Sequence, residues 1–449
     1  MSRQVNRTQL HIGIDDTDST KGGCTTYVAA RIVEEITKIG AQFIDYPNVV
    51  RLNPNIPYKT RGNAAVSLRV IISKDSYDSI QETVLEEVEE NSQLGMKGTD
   101  PAIVLLRGAV SRKMKEFSSR ALWDVLTQEE ALKILKSSGA RAAAYGTKLG
   151  LVGAVAAIGQ TLDEDHTFEL IAYRQRRNCG KPRRVDEASV IRMDSLTKSG
   201  TFNNYDFENR RILITPHGPD PVLVGIRGEE PDIVRHAFHL IKIQEEVERW
   251  VIFRTNHGTD AHFQSAPDRS RLMPNRPAVL RGYVEGLPTH IRGGHVFFNL
   301  RSENGRVRCA AFEPTGGFRQ IVAKLLPGDE VTVFGAVKKS RIHFPLTINL
   351  EKVEIHKLID IPRLENPTCP KCQKHMKSAG KGQGFRCERC SLVMRDGVKQ
   401  SVEDRRPLLP GVYVPTLKSH RHLTKPLIRY GREKKCWDGR APHGQWHEP

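Results

Sequence analysis

Three carboxylates in four residues, Asp15-Asp16-Thr17-Asp18, are the part of this chain best suited to chemistry. Carboxylates this close repel one another unless a cation neutralises them. Mg2+ takes oxygen ligands and commonly bridges to phosphates. The next residues, Lys21-Gly22-Gly23-Cys24-Thr25-Thr26, lead into a predicted helix N-terminus, whose backbone N–H groups favour phosphate. This is not a Walker A loop, because the G-x4-G-K-[ST] spacing is missing. A helix cap needs one carboxylate, not three. The pattern therefore reads as a Mg–nucleotide site rather than an acidic turn.

Further groups suit the same kind of chemistry. Lys59 and Arg61, in the loop YKTRGN, supply positive charge for phosphate or nucleic acid. Asp100 adds a carboxylate in the turn before a strand at Ala102. Residues 146–159 are rich in Gly and small side chains, which suits close approach to a ligand or a tightly packed helix. Arg174, Arg176, Arg177, Lys181, Arg183 and Arg184 form the densest basic cluster and read as an exposed loop on the path of a polyanion. Two turns, TPHGPDP at 215–221 and RTNHGTDAH at 254–262, each bring an acid, a His and Gly to a strand end. Such groups can seat a cationic amine or take part in proton transfer.

Cys369, Cys372, Cys387 and Cys390 read C-x2-C, fourteen residues, C-x2-C. Four thiolates on two tight knuckles can close a tetrahedral shell around a structural Zn2+. The other four of the eight cysteines are scattered, which suits reduced thiols in the cytoplasm. No segment reaches the roughly 18 apolar residues of a membrane span, and the N-terminus lacks an apolar signal core. A net charge of +17 points to a polyanionic partner, RNA or DNA first.

The elements that must position these groups follow from periodicity. Residues 9–14 form a strand that runs into the aspartates. A helix from about Thr25 buries Val28, Ile32, Val33, Ile36 and Ile39. Strands at about 43–52 and 64–72, an acidic helix at 75–91 and strands at 102–106 and 168–173 complete an α/β unit. Residues 186–265 suit a ferredoxin-like unit, with strands at 188–193, 212–215, 222–226 and 250–254 and a helix at 231–244. Five strands from Ala278 to Ile355, with a helix after the third, have the order of an OB barrel. Phe297, Phe298, Phe312 and Phe344 are candidate stacking rings there, although Phe297 and Phe298 must face opposite sides of their strand. The expected units are 1–185, 186–265, 275–358, the zinc ribbon at 364–400 and a basic tail at 401–449. From Arg405 on, the tail carries 10 Lys and Arg against three acids, and suits either RNA contact or disorder.

Together GIDDTDSTKGGCTTYVA, YKTRGNAA, TDPAI, GLVGAVAAIG, PHGPDPVLVGIRG and RTNHGTDAH, with the OB region and ribbon, resemble the archaeal tRNA(Ile) 2-agmatinylcytidine synthetases, the TiaS family. The resemblance covers nearly the whole chain. It implies an α/β and α+β multidomain enzyme: a kinase-like domain, a ferredoxin-like domain, an OB fold and a zinc ribbon. The implied reaction replaces the 2-oxo group of the wobble cytidine in the CAU anticodon of tRNA-Ile by agmatine, consuming ATP to AMP, so that AUA is decoded. Asp15, Asp16 and Asp18 would hold Mg2+ and the ATP phosphates, with Lys21, Gly22, Gly23, Lys59 and Arg61 nearby. Thr25 matches the threonine that the family autophosphorylates. His217, Asp220 and Asp260 would bind agmatine, and Arg176, Arg177, Arg183 and Arg184 the tRNA. His257 is a departure, since relatives tend to carry Gln there. The rival reading is a single-strand nucleic-acid-binding protein with an OB fold and zinc ribbon, which leaves the aspartate cluster unexplained.

Overall fold

A computed structural model describes residues 6–59, 62–264, 270–303, 305–339, 346–404 and 406–449. Arg61 and Phe344 therefore lie outside the described residues.

One 11-stranded sheet runs through the first two units. Its order is Arg141–Ala144, Ala102–Arg107, Arg7–Asp15, Ala64–Ser73, Asn48–Arg51, Val247–Thr255, Thr167–Arg174, Val222–Gly228 and Thr201–Phe202. Gln42–Phe43 and His447–Glu448 add to Ala64–Ser73 and Val247–Thr255. All the pairings are antiparallel except the seam, where Asn48 and Val49 run parallel to Arg254 and Thr255. The functional residues of the two halves can meet because the sheet continues across this seam.

Alternation along the strands fixes the two layers of the first half. Leu10, Ile12 and Ile14 face the helices Thr25–Lys38 and Tyr77–Asn91. The opposite face packs on Arg112–Ala121, Gln128–Ser138 and Gly150–Gly159. The small-residue run is thus a buried helix. It sits so close to the first strand that a Cβ on Gly13 would strike the Ala154 carbonyl.

The second half differs from the sequence reading in three places, one being the strand expected at 212–215, which is only Arg211–Ile212 and pairs with Tyr205–Asp206 outside the main sheet. The expected strand at 188–193 is instead a helix, Glu187–Thr197, started by the Asp186 carboxylate accepting from Ser189 N–H at 2.7 Å. Val190, Met193 and Thr197 are buried at helical spacing, which outweighs the β-branched look of the segment. Thr167–Arg174, assigned to the first unit, pairs on both sides with strands of the second.

The barrel strands are Pro277–Ile291, His295–Ser302, Gly305–Ala311, Glu330–Lys339 and Leu346–Lys357, with the helix Gly317–Ala323 after the third. A parallel pairing of the third strand with the fifth closes it. Phe298 is buried in the core, while Phe297 carries the Arg308 guanidinium 4.4 Å from its ring centre. Three two-residue strands between 377 and 394 form the ribbon.

The tail is ordered and folds back across the molecule. Gly411–Tyr413 pairs with the last barrel strand, and His447–Glu448 pairs with Trp250 and Val251. Trp437 and Trp446 pack on the core of the second half. Among the described residues no helix is long and apolar enough to cross a membrane.

Candidate active site

The first strand delivers Asp15 and Asp16 to a cavity of about 530 Å3. Its walls come from both halves of the sheet, the helix Gly150–Gly159 and the tail. Asp15, Asp16, Asp18 and Thr25 line it together with Lys59, His217 and Asp220. Residues far apart in the chain thus share one cleft.

Asp16 has a left-handed backbone, φ 59°, which costs a non-glycine residue about 1–2 kcal/mol. Strain of this kind clusters at functional sites. The Asp16 carboxylate accepts from the Asp100 N–H at 3.1 Å. Asp100 in turn is fixed by the Thr147 N–H at 2.7 Å and the Thr147 hydroxyl at 2.5 Å, so it braces the cluster from behind. Burial, then repulsion from Asp16 and Asp18, pushes Asp15 well above the usual carboxylate range. Burial, with Asp18 and Asp100 adding, pushes Asp16 up to about 7. Half-buried carboxylates under mutual repulsion are a fitting donor set for a hard cation.

Thr25 begins its helix directly after Cys24 and accepts from the Thr17 hydroxyl at 3.1 Å. The loop before it is tight: the Ser19 N–H donates to Gly22 O at 2.8 Å, and Gly22 and Gly23 have φ of 154° and 78°. A Cβ on Gly23 would lie 3.0 Å from Thr17 O. Lys21, Gly22 and Gly23 shape this loop but do not line the cavity.

A buried charged group that sequence reading missed forms another part of the wall. Glu169 faces Arg227 at 2.9 Å and Arg51 at 3.4 Å, with His257 Nδ1 3.6 Å away. Burial opposes ionisation of Glu169, but Arg227, His257 and Arg51 outweigh it and hold the carboxyl well below its usual range. Burial, with Arg227 and Arg51, pushes His257 down to about 4. Arg51, burial and His257 hold His422 well below its ordinary value. Both rings are therefore neutral at pH 7. One signal was available, a Glu in the middle of the otherwise apolar strand FELIAY. His422 and Arg421 arrive from the tail, and nothing local marked them.

Several expected positions take other roles. Asp220 lines the cavity, but it is also 3.2 Å from Arg183. Arg183 is buried there and donates as well to Gly218 O and Val222 O, so it holds the 215–221 turn instead of facing RNA. Arg174, from the same basic cluster, is buried against Glu245 at 2.7 Å. Arg176, Arg177 and Arg184 are exposed. Asp260 lies outside the cavity wall, buried against Lys352 of the barrel and accepting from the Lys425 N–H at 2.9 Å. It ties three parts of the chain together. His217 lines the cavity beside Arg211, and burial, Arg211 and Arg183 lower its pKa.

The four ribbon thiols lie within 4.8 Å of one another, with Sγ–Sγ separations of 3.4, 3.4 and 3.8 Å. A Zn–S bond of about 2.3 Å gives tetrahedral edges of about 3.8 Å, so the cage fits Zn2+. We expect one zinc per chain by elemental analysis. Chelation should unfold the ribbon, because its own core is little more than Met376, Phe385 and the cysteines. An unchanged ribbon NMR spectrum after zinc removal would contradict this.

A cleft lined by buried carboxylates and cations, fused to an OB barrel and a zinc ribbon, defines a multidomain nucleic-acid-modifying enzyme. Family models match in the same order: the TiaS TCKD domain over residues 11–147, the TiaS FLD domain over 148–262, an OB-fold nucleic acid binding domain over 278–355 and the TiaS C-terminal zinc ribbon domain over 366–408. The chain belongs to the TiaS family. It is 41% identical to the 2-agmatinylcytidine synthetase TiaS of Methanosarcina mazei, named for its isoleucine tRNA, over 94% of this chain and 97% of that protein. The crystal structure of a TiaS complex with that isoleucine tRNA and ATP is similar with a TM-score of 0.80 and 40% identity, covering 96% of this chain and 99% of that one. The TiaS complex with the tRNA, AMPCPP and agmatine gives 0.79 and 39%, covering 94% and 97%.

Proposed function

We propose that the protein is an ATP-dependent tRNA-modifying ligase. It joins agmatine to C2 of the wobble cytidine in a CAU-anticodon tRNA-Ile, forming agmatidine. The observation that carries this reading is the single cavity in which Asp15, Asp16, Asp18 and Thr25 meet His217, Asp220 and the cations of the second half and tail. Relatives solved with an isoleucine tRNA, ATP or its analogue, and agmatine support the same set of substrates. A mere strand-binding protein has no use for a cluster of carboxylates whose pKa values are raised by desolvation and mutual repulsion.

The 2-oxo group of a pyrimidine is a poor leaving group, so its oxygen is first phosphorylated by ATP and then departs as inorganic phosphate when the amine attacks C2. Asp15, Asp16 and Asp18 are the residues that would hold Mg2+. When bound, the ion neutralises triphosphate charge and polarises the transferred phosphoryl group. The start of the Thr25–Lys38 helix presents backbone N–H groups to the phosphates. We place agmatine along the 215–221 turn. His217, whose Nε2 accepts from Arg211, would take the proton of the attacking amine once it releases that contact. The cytidine must leave its stack to reach this cleft. Arg176, Arg177 and Arg184 remain as exposed charges for the tRNA.

The pH dependence has a definite sign. Asp16 holds its proton up to about 7, and a cation must displace it. The apparent Mg2+ affinity should therefore fall as pH drops through about 7, by at least roughly tenfold per unit, since Asp15 is raised as well. Mg2+ titrations of turnover at pH 6, 7 and 8 check this, and a flat profile would contradict it.

The function is tested by incubating the protein with Mg-ATP, labelled agmatine and a CAU-anticodon tRNA-Ile transcript. Label should appear in the wobble nucleoside alone. Tight tRNA binding without label would favour the binding-protein reading.

A further inference from the structure

A second cavity, of about 520 Å3, adjoins the cleft. It lies between residues 54–59, Lys338 on the fourth barrel strand and the tail segment 420–423. We propose that it is a binding site for phosphate oxygens of the RNA backbone, separate from the nucleotide site at Asp15–Asp18. The proposal rests on the tRNA-modifying reading above.

Besides Arg51, which faces Glu169, three cations reach this space from three distant parts of the chain: Lys59, Lys338 and Arg421. What each touches is mostly neutral. Lys59 Nζ donates to Pro54 O at 2.7 Å. Lys338 Nζ donates to Asn55 O at 3.2 Å and Asn275 Oδ1 at 3.3 Å. Arg421 donates to Asn55 Oδ1. Among the described residues one acid answers them, Glu351, 3.2 Å from Arg421 and itself 3.2 Å from His262. The remaining positive charge is mutually repulsive. Burial, then Arg421 and Lys338, lowers Lys59, and burial with Arg421 lowers Lys338. A fold that gathers like charges into a concave space is matched by an anion.

A second observation points the same way. Asn55 is 2% exposed, and its Nδ2 has no hydrogen-bond partner among the described residues. Arg51 Nε, also buried, has none either. Both residues line the cavity. Orphaned buried donors are rare and call for an acceptor, which a phosphate oxygen supplies.

Position selects RNA over ATP as the source of that phosphate. The cavity shares Arg51, Lys59 and Arg421 with the cleft, yet it contains none of the aspartates and includes a barrel residue. A nucleotide whose base enters the cleft must leave its flanking phosphodiesters close by, on the side from which the strand arrives. The barrel side is the natural approach for a single strand.

The test compares Lys338→Gln and Arg421→Gln with the charge-keeping Lys338→Arg and Arg421→Lys. For each full-length variant, tRNA affinity is measured as a function of salt, and KM for ATP is measured alongside. Each neutralising change should weaken tRNA binding about five- to tenfold near 0.15 M salt and reduce the log–log salt slope by about one. The charge-keeping changes should retain most of the affinity and the full slope, and KM for ATP should stay constant in the Lys338 variants, whose residue lies outside the cleft. Unchanged affinity and slope in the neutral variants would overturn the proposal. So would equal loss in both kinds of variant, which marks a structural role, or a raised KM for ATP with tRNA binding intact, which assigns the site to the nucleotide. Agmatine incorporation by the unaltered protein is scored separately. Its failure would sink the functional reading, while the salt slopes would still decide whether this cavity holds RNA phosphate.

Discussion

A single methyl group added at Gly153 should cripple turnover while the chain still folds. Gly153 lies on the buried helix Gly150–Gly159, against the carboxylate that opens the aspartate cluster. A Cβ built there would overlap Asp15 Oδ2 far inside contact distance. The overlap has no easy relief. The Asp15 side chain is short and only partly exposed, and the same helix is wedged elsewhere: a Cβ on Gly159 would strike Met114 O, and one on Gly150 would lie 2.5 Å from Asp100 O. Either the carboxylate turns away or the helix backs off, and both spoil the donor set. Misplacing a reacting group by about 1 Å costs on the order of 100-fold, and losing an electrostatic contact of this kind costs about 100- to 1,000-fold. We expect Gly153→Ala to lower kcat about 1,000-fold, with a stability loss of about 1–3 kcal/mol from overpacking. Gly317→Ala, with open space around its Cβ position, is the control. Near-normal turnover in Gly153→Ala would mean that Asp15 is not where the chemistry happens.

The largest stability effect should come from the tail. Arg429 is fully buried, with its guanidinium 2.8 Å from Asp165 and 2.7 Å from Glu229, and it also donates to Gly258 O at 2.7 Å. Removing one partner of a buried ion pair leaves the others without compensation, at about 3–5 kcal/mol. Arg429→Ala should therefore destabilise the second half of the sheet by about that amount. Urea unfolding followed by tryptophan fluorescence is the measurement, since Trp250 and Trp437 both sit in that core. The loss should spread to the cleft, because the same segment carries Arg421 and His422 into the wall. A change below about 1 kcal/mol would show that the tail docks passively.

How much of this was legible depends on whether the signal was local. The strand that ends in Asp15 and the helix from Thr25 follow from apolar periodicity and the Gly-rich loop between them. The barrel order and the cysteine spacing are equally local. The 188–193 segment misled because Val190 and Ile191 suggest a strand, whereas the Asp186 cap and the burial of Val190 and Met193 make it a helix. Arg183, Asp220 and Asp260 carry the residue types expected of binding groups. Which of them face a ligand depends on partners such as Lys352 that come from other domains. The basic tail was ambiguous by composition. Its docking depends on Arg429 and Trp446 finding a site formed by residues far earlier in the chain, and no local pattern records that.

The central claim is that this cleft turns the 2-oxo group of the wobble cytidine into a phosphate ester and lets agmatine displace it. The most direct measurement follows that oxygen atom. A CAU-anticodon tRNA-Ile carrying 18O at C2 of the wobble cytidine would be incubated with the protein, Mg-ATP and agmatine. Agmatidine should form in the tRNA, and 18O should appear in inorganic phosphate. Recovery of the label in AMP, or its retention in the cytidine while ATP is consumed, would contradict the claim.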